Sequence, residues 1–164
     1  MDYGQILKDI KPTKKEQEDI DAMTHKLVNF LTETCQNEGI DAKITVVGSV
    51  AKRTALKGKS DIDIFMAFPL DVSEDILKEK GLYLAHKCSD AFDGVASHHF
   101  ASPPYVTSDI DGYEVDLVPC YAIEDGSQIK SAVDRTILHT RFVKANLTAE
   151  GCDEVLLLKK FMDM

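Results

Sequence analysis

Between residues 13 and 39, apolar side chains recur at three- and four-residue spacing. Ile20, Met23, Leu27, Leu31 and Cys35 fall on one stripe, the period of a helix that buries a single face. Thr13-Lys14-Lys15-Glu16 opens this segment as a capping box after Pro12, and Gly39 stands where a left-handed residue ends a helix. The pattern predicts an amphipathic helix of about six to seven turns, with its stripe in a core. The period then changes. Ile44-Thr45-Val46-Val47 is a β-branched run ending at Gly48-Ser49, a short segment covers 50–56, and 61–68 reads as a second strand closed by Pro69. Ser73 is placed to cap a second helix reaching about Ala91, with Ile76, Leu77 and Leu84 among its apolar positions. Two strands, Tyr105–Ile110 and Tyr113–Tyr121, flank Asp111-Gly112, a strong hairpin signal. Helical stretches over 135–147 and 153–162 complete the chain. This order predicts an α+β fold: a mixed, mostly antiparallel sheet with helices packed on one face.

Composition narrows the class. The 164 residues fit one domain, or one domain and the start of another, and 44% hydrophobic with 29% charged residues can bury a real core. No apolar run approaches the ~20 residues of a membrane span, and the start MDYGQILKDIK lacks the apolar stretch of a secretory leader. The four cysteines are scattered without a C-x-x-C pair, which reads as reduced thiols of a cytosolic protein. Val155-Leu156-Leu157-Leu158 is wider than one amphipathic stripe, so this last helix is expected to need neighbours on more than one side, in a longer natural protein. The net charge of −9 repels polyanions. Any grip on nucleic acid must therefore be local, metal-bridged or supplied by other polypeptide.

Candidate chemistry centres on Asp61 and Asp63. At i and i+2 on a strand, both carboxylates share a face, about 6.6 Å apart along the backbone. Strands are depleted in Asp, and two on one face repel unless a cation or proton relieves them. In Glu114-Val115-Asp116-Leu117-Val118, the same alternation puts Asp116 where a neighbouring strand can bring it beside Asp63. Three carboxylates can hold two Mg²⁺ ions ~3.5–4 Å apart, the clamp for in-line phosphoryl displacement. Gly48-Ser49 offers close backbone approach, a hydroxyl and an N–H to a phosphate, and Lys52, Arg53, Lys57 and Lys59 place positive charge ahead of the acids. Each feature alone also has an ordinary reading as solvent-facing acids, a turn or a solvated basic loop. Cys120 reads as buried filler, and the adjacent His98 and His99 as surface residues pointing opposite ways.

Together the pieces resemble the nucleotidyltransferase superfamily that includes DNA polymerase beta. More closely, Gly48-Ser49-Val50-Ala51-Lys52-Arg53-Thr54, Ser60-Asp61-Ile62-Asp63-Ile64-Phe65, Glu114-Val115-Asp116-Leu117-Val118-Pro119-Cys120-Tyr121 and Ile129-Lys130-Ser131-Ala132-Val133-Asp134-Arg135-Thr136 resemble the class I (archaeal) CCA-adding enzymes. That resemblance implies a head domain adding C, C and A to tRNA 3′ ends from CTP and ATP with Mg²⁺ and no nucleic-acid template, in the cytoplasm. It implies Asp61, Asp63 and Asp116 as catalytic, metal-binding acids. Gly48, Ser49 and Lys52 would contact the triphosphate, and His139 and Lys159 the incoming nucleotide. It implies a head at residues 1–135, with 136–164 opening a central domain, weak or no turnover from these residues alone, and room for a homodimer of the longer protein. The chain departs from the pattern where Asp61 replaces the frequent Glu, Lys52 the usual Arg, and Arg53 a small residue. The competing readings are a nucleotidyltransferase with a small-molecule or poly(A)-type acceptor, and a nucleotide-binding module without catalysis.

Overall fold

A computed structural model describes residues 2–53, 57, 61–123 and 134–162. Its elements run α1 (Tyr3–Ile10), α2 (Lys14–Glu38), β1 (Lys43–Val47), α3 (Gly48–Lys52), β2 (Asp61–Phe68), α4 (Glu74–Ala91), β3 (Val95–His99), β4 (Tyr105–Ile110), β5 (Tyr113–Tyr121), α5 (Asp134–Asn146) and α6 (Ala149–Met162). The expected helix caps form. Thr13 accepts from the Glu16 N–H, Ser73 from the Ile76 N–H, and Gly39 ends α2 with φ of 68°. All five residues of the α2 stripe are buried. On α4, Leu77 and Leu84 are buried, but Ile76 is exposed.

The strands form one five-stranded sheet, ordered β1-β2-β5-β4-β3. Only β2 and β5 pair in parallel; the other three pairings are antiparallel. The fold is therefore the expected mixed, mostly antiparallel α+β sheet. Alternation gives the sheet two unlike faces. Ile62, Ile64, Met66, Val106, Val115 and Leu117 join the α2 and α4 stripes in the main core. The other face buries a smaller cluster of Val47, Phe65, Ala67, Val118 and Cys120, and leaves its polar end open. At the β4–β5 hairpin, Asp111 and Gly112 both take positive φ, 49° and 84°, as a two-residue primed turn requires.

Two elements were not anticipated by sequence periodicity. Helix α1 is eight residues long and buries only Ile10, which packs with Leu156 of α6, against Ile6, Leu7 and Leu157. Strand β3 is an edge strand with an almost wholly exposed residue pattern, so no apolar alternation marks it. Within the apolar run of α6, Leu156 is buried while Leu158 stays exposed. Among the described residues, no helix is long and apolar enough to cross a membrane.

Candidate active site

The open face of the sheet is organised by register. One row across it reads Val47, Asp63, Asp116, Thr107 and Ser97, each paired with the next through β1, β2, β5, β4 and β3. The parallel β2–β5 pairing sets Asp63 opposite Asp116 and Asp61 opposite Glu114. Asp63 and Asp116 are half-buried, while Asp61 and Glu114 are exposed. Burial, the Asp116 charge and a hydrogen bond with Asp116 push the Asp63 carboxyl up to about 6. Glu114 is also raised, mainly by the charge of Asp61. Asp61, Asp63, Glu114 and Asp116 thus crowd one surface, and the crowding disfavours the ionised form of Asp63.

The sequence led us to expect three converging acids. The structure brings two together, Asp63 and Asp116, and places Asp61 two residues earlier on the same face. Among the described residues, no three carboxylates, histidines or cysteines form a set able to hold a metal. The pair nevertheless suits a hard divalent cation, since hard ions take carboxylate oxygens and neutralise the repulsion that otherwise recruits a proton.

Gly48 abuts this pair. Its φ of 74° is left-handed, and a Cβ there would fall 2.1 Å from Asp63 Oδ2. Glycine is thus required twice, for the turn from β1 into α3 and for the approach of backbone to carboxylate. The backbone of Ser49 and Lys52 lies in α3, while their side chains lie outside the described residues, as do Lys59 and all of 124–133. Two other cations of this segment are directed away from the acids. Arg53 lies 3.8 Å from Asp21 and Lys57 3.9 Å from Glu16, both on α2. His139 is exposed on α5, and Lys159 is partly buried on α6.

Sequence reasoning overlooked Thr107 and His99. Thr107 Oγ1 donates to Asp116 Oδ1 at 2.6 Å and lies 2.9 Å from His99 Nε2. His99 and His98 do point opposite ways, but His99 faces the acids' side. Cys120 is buried, as expected of a filler.

The raised Asp63 carboxyl also bears on stability. A carboxyl raised to about 6 when folded contributes stability at low pH that is lost as pH rises through that value. Metal-free protein should therefore lose stability from this pair between about pH 4 and pH 7, by about 1–2 kcal/mol after allowance for solvent screening. Thermal melts of the wild-type protein and Asp63→Asn across this range check it. The melting temperature of the variant should gain on the wild type as pH rises, and Mg²⁺ at pH 7.5 should close the gap. A constant difference would show that the Asp63 carboxyl is not raised.

A five-stranded sheet with paired acids on its open face, beside a glycine at a strand end, defines a nucleotidyl-transfer domain. The family profile described as "Nucleotidyltransferase domain" matches residues 27–139. The chain belongs to this nucleotidyltransferase family, on the branch of the CCA-adding enzymes. The CCA-adding enzyme of Methanothermobacter thermautotrophicus is 54% identical over 161 residues, covering 98% of this chain and 36% of that protein. That of Methanocaldococcus jannaschii is 41% identical over 159 residues, covering 96% and 35%. A Thermoplasma acidophilum CCA-adding enzyme is 37% identical over 161 residues, covering 98% of this chain and 70% of that sequence. The chain spans about a third of the length of the first two relatives. Among solved structures, that of the RNA terminal uridylyl transferase Cid1 superposes with a TM-score of 0.66 at 20% identity, covering 96% of this chain and 43% of Cid1. That likeness is one of fold.

Proposed function

We propose that this chain is the catalytic head of a CCA-adding enzyme, which extends tRNA 3′ ends with C, C and A from CTP and ATP without a nucleic-acid template. The observation that carries the reading is the parallel register of Asp63 with Asp116 on an open sheet face beside Gly48. The names and identities of the relatives support the choice of reaction.

In this reading Asp63 and Asp116, with Asp61 on the same face, would hold two Mg²⁺ ions, which when bound would supply positive charge at the reacting phosphorus. Asp116 takes the proton of the tRNA 3′ hydroxyl as its oxygen bonds to the α-phosphorus. The bond from α-phosphorus to bridging oxygen breaks, and pyrophosphate leaves. The Gly48-Ser49 backbone, the Ser49 hydroxyl and Lys52 cradle the triphosphate, while His139 and Lys159 contact the incoming nucleotide. Lys52 does so as a point charge, without the bidentate fork of an arginine. Residues 1–135 form the head, and 136–164 open a central domain. The site is cytoplasmic in an archaeon, and the longer protein has room to dimerise. With a net charge of −9, the grip on tRNA resides mainly in other polypeptide, so these 164 residues alone turn over slowly.

The test is incorporation of labelled CMP and AMP into tRNA transcripts ending before CCA, using the full product of the gene and, in parallel, this chain alone. Ordered C, C, A addition stopping at A is the expected result. Uridylate incorporation, long A tails or transfer to small acceptors would overturn the assignment. Efficient addition by the 164 residues at moderate salt would overturn the placement of the tRNA grip.

A further inference from the structure

A threonine hydroxyl has one proton. Thr107 directs it to Asp116 Oδ1 at 2.6 Å, so toward His99 Nε2, 2.9 Å away, Oγ1 can only accept. His99 must therefore carry hydrogen on Nε2. Its ring is stacked on Tyr105, with centroids 4.4 Å apart and planes 14° apart, which fixes the direction of that N–H. The donors run in one sense, His99 to Thr107 to Asp116, from the edge strand β3 through β4 to β5. A carboxylate with one oxygen so engaged is restrained about χ2. Residues that orient a ligating carboxylate typically govern metal affinity by about 10–100-fold.

We propose that Thr107 and His99 are positioning residues: Thr107 holds Asp116 in the orientation that faces Asp63, and His99 fixes the Thr107 hydroxyl so that its proton points at Asp116. This rests on the reading of Asp116 as a metal-holding acid. Neither residue touches substrate or metal in this scheme; both act through the Asp116 carboxylate.

The test uses this chain and Mn²⁺ alone, titrated calorimetrically, with Thr107→Val, Thr107→Ser, His99→Phe and Asp116→Asn. Valine keeps the β-branched shape suited to a strand, and phenylalanine keeps the stack on Tyr105. Thr107→Val should weaken Mn²⁺ binding by about 10–100-fold, and Thr107→Ser, which keeps the hydroxyl, should stay within about threefold of wild type. His99→Phe should fall between them. In an Asp116→Asn background, Thr107→Val should add nothing. Nitrogen-detected NMR of the neutral His99 ring should show hydrogen on Nε2. If Asp116→Asn weakens binding and Thr107→Val does not, positioning by Thr107 is overturned while the metal reading stands. If Asp116→Asn itself leaves Mn²⁺ binding unchanged, the metal reading falls. His99→Phe binding like wild type, or hydrogen on Nδ1, removes His99 from the scheme.

Discussion

Asp63→Asn is expected to abolish nucleotidyl transfer, by about 10³-fold or more in kcat, while making the metal-free protein more stable at neutral pH. The activity loss follows from removing one of two acids that neutralise cations at the reacting phosphorus; losing a single preorganised electrostatic partner commonly costs 10²–10³-fold, roughly 3–4 kcal/mol. The stability gain follows from the same residue, because burial and the Asp116 charge penalise the ionised Asp63 carboxylate at neutral pH. A structural carboxylate behaves the other way, and its loss destabilises. The two readouts on one variant therefore separate a functional acid from a structural one. Asp116→Asn should match the activity loss, while its amide oxygen still accepts from the Thr107 hydroxyl. Measurement needs single-turnover incorporation in the full gene product, and thermal melts with and without Mg²⁺. Wild-type-like transfer by either variant would remove the acids from the mechanism.

Gly48→Ala carries the second large effect. Two penalties act at once: a left-handed φ of 74°, worth roughly 1–2 kcal/mol for a residue with a Cβ, and a methyl group placed 2.1 Å from Asp63 Oδ2. The second cannot be absorbed without turning the carboxylate away from its position beside Asp116. A displacement on the order of 1 Å at a reacting centre can cost 10²-fold, so kcat should fall by about that factor. A double-mutant cycle isolates the contact. In an Asp63→Ala background the carboxylate clash is gone and only the contact with Cβ at 3.3 Å and the backbone penalty remain, so Gly48→Ala should destabilise less there than in wild type. Equal destabilisation in both backgrounds would mean that Gly48 serves the turn alone.

Much of this site was legible before any coordinates. Because the Asp111-Gly112 turn has two residues, pairing Ile110 with Tyr113 forces Thr107 opposite Asp116, and simple counting along the hairpin would have found it. Asp61 and Asp63 share a face by alternation alone. The edge strand β3 was not legible, because exposed residues on both of its faces erase the alternation that marks a strand. Without β3, His99 looked like one of two surface histidines.

The amphipathic stripe of α2, its caps, the hairpin and the alternation of each strand's faces are local matters, fixed by spacing and by the conformational limits of Gly, Pro and Asx residues. Sequence therefore determined the α+β class and nominated the acids. Tertiary structure decided what no spacing encodes: that β2 and β5 lie side by side and parallel, that two carboxylates meet while a third stands off, and that Gly48 comes to rest against Asp63. The first two depend on contacts between segments some fifty residues apart, where the register is chosen by burying the apolar face of each strand against α2 and α4. The polar face follows that choice, and the acids meet on it because the opposite side chains are buried.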